Sequence, residues 1–340
     1  MKKALVLFAF LSAIAVFWAS CTKKNYLGIA FYNVENLFDT IDDPNTLDGE
    51  FTPDSAKHWN TEKYFAKLNN LAKVLTTYQS NQTPDFVGLC EVENRLVLED
   101  LLKADALKDK NLDIVHFESP DLRGIDVAAL YNTKKLKMLD SGKHPLDLSE
   151  YGETTRDVLW VKMLEKSTKE QFIFLINHWP SRRGGLEESE PKRILAAQNL
   201  KHLKDSLLKQ NAGINLIVMG DFNDEPDNKS IKEALDATNQ TEINNAQLFN
   251  VMAALKAVGQ GSYRFRDDWN MLDQLMVNSA LLDNQKWEYE RNSAGIRNED
   301  WLQQHSEKYE GHPLRTFGGN NYLNGYSDHF SVYMLLSYHP

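Results

Sequence analysis

The sequence predicts a mixed α/β fold, in which sheets of mixed strand direction carry helices on their outer faces. Three observations predict it. Short apolar runs of strand character recur along the chain, several follow one another with no helix between them, and two segments show helical spacing. Strict alternation of strand and helix would instead point to a single parallel sheet. Taken in order, Leu27 to Val34 reads as a strand leading into a turn. Lys63 to Tyr78 reads as a helix, because Phe65, Leu68, Leu71, Ala72 and Leu75 fall on one stripe. Phe86 to Cys90, Leu112 to Phe117 and Val127 to Tyr131 are successive strands, and Phe172 to Ile176 is another. Pro191 to Leu208 is a second helix, with Ser189 as its cap and Pro191 in its first turn, where a missing N–H is harmless. Ile214 to Met219 is a strand ended by Gly220, and Leu272 to Val277 and Phe330 to Leu336 complete the set. No Pro/Gly/Ser linker, repeat or low-complexity block divides residues 25 to 340, so one domain is expected.

Of 340 residues, 42% are hydrophobic and 25% charged, a globular composition that argues against long disorder, collagen or a coiled-coil rod. Acids outnumber bases 48 to 38, for a net charge of -10. That balance excludes polyanion binding by bulk charge, since such affinity comes from Lys and Arg neutralising phosphates. A phosphate ester would have to be held by something local.

Met1-Lys2-Lys3 and the uncharged run from Ala4 to Ala19 suit a secretory signal, and the run is short for a bilayer span. It ends in Ala19-Ser20-Cys21, which resembles a bacterial lipoprotein signal with Cys21 as the lipidated mature N-terminus. Trp18 stands where that pattern has an aliphatic residue, so a plain signal or anchor helix stays open. The expected organisation is a signal over 1–20, a short tether over 21–26 and a catalytic domain over 27–340. Removal of Lys2 and Lys3 leaves 36 bases against 48 acids, a net charge of -12. Only Cys21 and Cys90 exist, so a lipidated Cys21 leaves no pair for an intrachain disulfide. Cys90, inside an apolar run, reads as a buried structural thiol, and no CxxC pair suggests zinc.

The polar residues of interest sit at the ends of the apolar runs. Asn33 and Glu35 follow the first strand, Glu91 follows Cys90, and Asp126 opens its strand after Arg123-Gly124. Asn177 and His178 end Phe172 to Ile176, Asp221 and Asn223 follow Met219-Gly220, Asp273 starts a strand, and Asp328-His329 precedes the last one. Singly, each is weak: an acid at a strand end is usually just solvated, and a lone His is more often a surface or core residue than a catalyst. Together they form a constellation, and sheet folds place sites where strand ends converge.

Phe31-Tyr32-Asn33-Val34-Glu35-Asn36-Leu37, Gly88-Leu89-Cys90-Glu91-Val92-Glu93, Asn177-His178-Trp179, Gly220-Asp221-Phe222-Asn223 and Ser327-Asp328-His329 occur in that order. Together they resemble the endonuclease/exonuclease/phosphatase superfamily, from Leu27 to the last strand. The resemblance implies a four-layered sandwich, two mixed β-sheets face to face flanked by helices, and a divalent-metal-dependent phosphoesterase. It implies Mg²⁺ or Mn²⁺, with Ca²⁺ as an additional ion, held by Glu91, Glu35 and Asp328; hard cations of this kind prefer carboxylate oxygens. It implies that His329 is a general acid/base oriented by Asp273. His178 would stabilise the transition state, Asp221 would position or deprotonate water, and Asn223 and Asn33 would contact phosphate oxygens. Whether Asp221 or the His329–Asp273 pair is the base stays open, and Asp126 is either the acid that orients His178 or a solvated strand start.

The loop Asn177-His178-Trp179-Pro180-Ser181-Arg182-Arg183-Gly184-Gly185 offers Arg182 and Arg183 as phosphate clamps, with Arg123 as a third, against the alternative of solvated loop arginines. Trp179, Trp269 and Tyr263 are stacking surfaces for a base or sugar, or else core. The chain has no long Lys/Arg tract, which favours a local, metal-centred grip over deep duplex binding. The favoured expectation is an exported endonuclease, periplasmic or at the cell surface, monomeric, and touching the membrane only through its anchor. The alternatives are a phosphatase or phospholipase-C-like esterase on the same fold, and a binding protein without activity.

Overall fold

A computed structural model describes residues 25–78, 82–211 and 213–340. The signal-like segment 1–20, Cys21 and most of the expected tether lie outside the described residues. The chain opens with β1 (Tyr26–Leu37), α1 (Thr61–Thr76), β2 (Phe86–Val92), α2 (Arg95–Lys103), β3 (Leu112–His116) and β4 (Asp126–Asn132). The meander β5 (Leu136–His144), β6 (Val158–Glu165) and β7 (Gln171–His178) follows, then α3 (Leu186–Gln210) and β8 (Asn215–Asp221). Short elements come next: β9 (Ala237–Thr238), β10 (Leu248–Asn250), α4 (Ala253–Ala257) and a hairpin of β11 (Tyr263–Phe265) and β12 (Asp268–Asn270). β13 (Asp273–Val277), β14 (Lys286–Tyr289), β15 (Gly295–Ile296), β16 (Phe317–Gly318), β17 (Asn321–Tyr322) and β18 (Val332–His339) end the chain.

Among the described residues, one seven-stranded sheet runs β14-β18-β1-β2-β4-β3, with β15 also on β18, and a second runs β5-β6-β7-β8-β13-β10-β9. Both are mixed: β1 pairs β2 in parallel and β7 pairs β8 in parallel, while their other neighbours are antiparallel. A parallel pair needs a crossover, and α1 and α3 supply the two.

The alternation along β1 builds the layers. Leu27, Ile29 and Phe31 face the second sheet, where they join Phe172, Phe174, Ile176, Ile217 and Met219 in one buried cluster. Ala30, Tyr32 and Val34 face outward onto Leu68, Leu71 and Leu75 of α1 and Val97, Leu98 and Leu101 of α2. On the far side, Leu175, Leu216 and Val218 meet Ala196, Ala197 and Leu200 of α3. Helix, sheet, sheet and helix are therefore stacked in four layers, as expected, and central strands buried on both faces read as continuous apolar runs. Each fully buried aliphatic or aromatic side chain contributes about 1.5–3 kcal/mol, which fixes the register that the site depends on.

The expected strands are found within a few residues of their sequence bounds, but β5 and β6 were not among them. β5 is mostly exposed along its length, so it carries no apolar run to read. Helix α1 is capped by Asn60, whose side chain accepts from the Lys63 N–H. Phe65 points to solvent, and Tyr64 and Lys67 take the inward positions. Helix α3 starts five residues before Pro191, with Gly185 rather than Ser189 as its cap. Ser189 lies inside the helix, where its hydroxyl donates to the Gly185 carbonyl at 2.5 Å and accepts from Arg193 at 2.7 Å.

Candidate active site

The site is built where the ends of five strands meet, three from the second sheet and two from the first. In the second sheet, Asp221 ends β8, with His178 its partner on β7 and Asp273 its partner on β13. One carboxylate thus has an imidazole on one side and a second carboxylate on the other. Gly220 makes the β7 pairing possible, because a Cβ there would stand 2.5 Å from the Asn177 carbonyl oxygen. In the first sheet, Asn33 of β1 pairs Cys90 of β2, and the register shifts immediately afterwards in both β1–β2 and β2–β4. Bulges re-aim side chains beside functional sites. Here Glu35 and Glu91 take left-handed backbone, with φ of 51° and 63°, and Asn223 does the same at 52°. For a residue with a Cβ this conformation costs about 1–3 kcal/mol.

The side chains converge across the gap between the sheets. The Asn33 amide donates to Asp221 Oδ2 at 3.0 Å and to Glu91 Oε1 at 3.4 Å. Glu91 Oε2 accepts from the Asn36 N–H at 2.9 Å. His178 Nε2 lies 3.8 Å from Asp221 Oδ2 and 3.9 Å from Glu91 Oε1. His329 Nε2 approaches Asp221 Oδ2 from the other side at 3.9 Å, while its Nδ1 is 2.6 Å from Asp273 Oδ2. Asp221 Oδ1 accepts from the Asn223 N–H at 2.9 Å, and the Asn223 amide donates to the Trp179 carbonyl.

Burial and neighbours set the charges. Burial pushes the Asp221 carboxyl up to about 6, against the favourable pull of His329. Burial works against a charge on His329, yet Asp273, its hydrogen bond and Asp221 together hold that imidazole well above its ordinary pKa. His178 lies well below its ordinary value, through burial and then the nearby Arg156, Arg123 and His329. The pair of histidines is thereby split into one protonated and one neutral imidazole.

Of the expected metal ligands, Glu91 faces this wall and the other two do not. Glu35 is buried; its Oε2 accepts from the Thr316 N–H at 2.6 Å and lies 3.8 Å from Lys67 Nζ, and its Oε1 lies 3.7 Å from Arg315 Nε. Asp328 pairs Arg315 at 2.5 Å. Burial, and then Asp328, push Glu35 up to about 7. Both acids belong to an adjacent ion-pair cluster, and those pairs must yield before either can take a cation. Glu91 makes no ion pair with Lys or Arg among the described residues, and it shares its gap with Asp221 and His178. Asp221, Asp273 and His329 form one group with ligand atoms within 4.8 Å of one another, and Cys90, His178 and Asp221 form another. The carboxylate oxygens on this wall suit a hard divalent cation, with Glu91 as the residue that would hold it.

Three further expectations change. Asp126 does not reach His178: its Oδ2 lies 2.9 Å from His116 Nε2 and its Oδ1 accepts from Ser119. Arg182 is no free clamp. Its guanidinium donates to the Asn223 carbonyl at 2.7 Å, Asn270 Oδ1 at 2.9 Å and Asn228 Oδ1 at 3.2 Å, which fixes the loop behind the site. Trp179 is fully buried, edge-on against Phe222. Arg183 is exposed, and Arg123 is half-exposed with its Nε 3.5 Å from Asp121. Tyr263 stands beside His329, ring centroids 4.7 Å apart.

Sequence reasoning missed several supports. Arg156 donates to the carbonyls of His178 and Trp179 and pairs Asp121 at 2.8 Å, holding the end of β7. Buried Arg193 of α3 pairs Asp224 at 2.8 Å. Ser327 donates to the Asn33 carbonyl and accepts from the His329 N–H, holding the turn before β18 against β1. Ser327 lay in a recognised motif; the two arginines carried no local signal.

A two-sheet sandwich with paired histidines and carboxylates at one end defines the class of phosphoester hydrolases. Residues 28–338 match the model of the Endonuclease/Exonuclease/phosphatase family, and the chain belongs to that family. Solved structures of the same fold include a family member from Bacteroides thetaiotaomicron, 16% identical over 94% of this chain and 100% of that one, with a TM-score of 0.58. A mannosyl-6-phosphatase from the same organism is 16% identical over 91% and 99% of the two chains, at 0.57. The catalytic domain of human nocturnin, with a bound sulfate, is 17% identical over 93% and 98%, at 0.55. No curated protein matches the chain.

Proposed function

We propose that this protein is a divalent-metal-dependent phosphodiesterase, an endonuclease acting on nucleic acid outside the cytoplasm with Mg²⁺ or Mn²⁺ as its ion. The observation that carries the reading is the bracketing of Asp221 Oδ2 by His178 Nε2 at 3.8 Å and His329 Nε2 at 3.9 Å, with Asp273 behind His329. Glu91 would hold the divalent ion, which would supply Lewis-acid polarisation of the phosphoryl oxygens. The chain's own residues do the rest. Asp221, held by Asn33 and the Asn223 N–H, orients the attacking water and accepts its proton. His329, kept protonated by Asp273, donates from Nε2 to the phosphoryl oxygens. His178, kept neutral by burial, turns Nε2 toward the same carboxylate and steadies the developing charge from the β7 side. Asp221 is thus preferred over the His329–Asp273 pair as the base, because that pair already holds its proton.

The signal-like N-terminus and Cys21 support export and a lipid anchor, which would place the site outside the cytoplasmic membrane. Residues 22–340 with Mg²⁺ are expected to cleave plasmid DNA, and EDTA or His329→Ala to abolish cleavage. The decisive panel compares DNA, RNA, sphingomyelin, inositol phosphates and bis(p-nitrophenyl) phosphate. Exclusive turnover of a lipid or a phosphomonoester would overturn the nuclease reading and keep the hydrolase.

A further inference from the structure

A groove of about 960 Å³ opens beside His329, between the β11–β12 hairpin and the segment 304–323. It starts at Tyr263, whose ring lies 4.7 Å from His329, and at Asp328. In a chain of net charge -10, its wall is cationic. Arg315 is neutralised by Asp328 at 2.5 Å. Arg264, Arg266 and Lys308 remain, opposed on the lining by Asp267.

Each of those three cations lies by an aromatic ring. Arg266 lies 5.3 Å from the Phe265 centroid, Lys308 5.0 Å from Tyr309 and Arg264 5.4 Å from Trp269. Phe265 is 56% exposed and Tyr309 42%, so both rings present a face that a planar ligand can cover. Arg264 is held in place by its bond to the Glu310 carbonyl at 2.9 Å, and its buried Nε has no partner within the protein. His312 in the same wall is kept below its ordinary pKa by burial and by Arg264, so the groove's charge comes from the arginines and the lysine. A volume near the upper end for small-ligand sites, about 300–1,000 Å³, holds more than one phosphoryl group.

We propose that this groove is a second-phosphate subsite, which takes the nucleotide unit next to the scissile phosphodiester in a single strand. The base covers Phe265 or Tyr309, and the unit's own phosphate meets Arg264, Arg266 and Lys308. Stacking tolerates any base, while cations beside aromatic rings fix the phosphate's position. The inference rests on the phosphodiesterase reading and gives it a substrate: a strand with at least two phosphates. It also supplies the local positive charge that the overall composition lacks.

The probes are the p-nitrophenyl ester of thymidine 5′-phosphate with and without a 3′-phosphate. In both, water adds to phosphorus and p-nitrophenolate leaves. With Mg²⁺ at low salt, the 3′-phosphate is expected to lower KM about ten-fold, the scale of one added charge-assisted contact. The double variant Arg266→Ala with Lys308→Ala, at two exposed positions, should erase that gain and leave the singly phosphorylated probe unaffected. Calorimetric binding of thymidine 3′,5′-bisphosphate against thymidine 5′-monophosphate, to both proteins, gives a readout without turnover. If neither ester is hydrolysed but the bisphosphate binds more tightly only to the wild type, the subsite stands and the phosphodiesterase reading falls. Hydrolysis of both esters with no advantage for the 3′-phosphate, or an advantage that survives the double variant, overturns the subsite.

Discussion

Replacing Asp273 by Asn removes a charge and almost no volume. Asp273 is fully buried, its Oδ2 is 2.6 Å from His329 Nδ1, and its N–H is fixed by Ser262 Oγ at 3.1 Å. Two unit charges about 4 Å apart at an effective dielectric of about 20 interact by about 4 kcal/mol. At 1.36 kcal/mol per decade that corresponds to about three decades in rate, if the charge on His329 is needed in the transition state. The expected loss in kcat is therefore about 10²–10³-fold, within the span of acid–base contributions. Asp273 raises the pKa of His329, so the variant's imidazole should lose its proton at lower pH and the alkaline limb of the rate profile should move down. The assay is steady-state hydrolysis of bis(p-nitrophenyl) phosphate at saturating Mg²⁺ across pH 5 to 9, with a thermal melt of each protein. Unchanged kcat with an intact melt would refute the orienting role of Asp273.

Arg182→Ala should act through position rather than through phosphate. Losing three hydrogen bonds at about 1 kcal/mol each predicts about 2–4 kcal/mol less stability and a fall in kcat larger than the rise in KM; a pure KM effect in denaturant-stable protein would restore the clamp. Glu91→Ala should abolish metal-stimulated turnover, and Mg²⁺ should no longer raise the melting temperature as it does in the wild type by mass action; a retained metal shift would move the ligand elsewhere. Burial pushes Glu93 up to about 8, with its Oε2 accepting from the Asp39 N–H at 2.5 Å. The folded state holds that proton more tightly than the unfolded chain, so stability should fall between about pH 4.5 and 8, by at most about 1.4 kcal/mol per pH unit. In EDTA, Glu93→Gln should melt higher than wild type at pH 8 and equally at pH 4; equal melting at both would show that the carboxylate titrates normally.

The heart of the site was legible because its members flank apolar runs: Asn33, His178 and Asp221 are placed by register, which follows from hydrophobic pattern, while Glu91 sits at a register shift and His329 just before β18. The partners of the longer charged side chains were not legible. Arg182 lies two residues beyond Pro180 in the chain, yet its acceptors are at 223, 228 and 270. Asp126 had two imidazoles to choose from, and cross-strand pairing on β3–β4 gave it His116. Glu35 was drawn aside by Lys67, a residue in the polar complement of a helical stripe whose burial only the sheet beneath it reveals. Edge strand β5 left no trace because it buries little.

Glu35, Glu91 and Asn223 hold backbone geometry in which glycine is at ease and they are not. Random drift alone would tend to settle such positions toward glycine, because that exchange relieves about 1–3 kcal/mol of torsional cost wherever the side chain has no task. A descendant of this chain that stopped working would therefore become more robust to heat as it decayed, and the first sign of decay would be a glycine at 91, since Glu35 answers the buried Lys67 and Asn223 holds the Trp179 carbonyl. A screen that selects only for stability should recover that same exchange, and would disarm the protein while improving it.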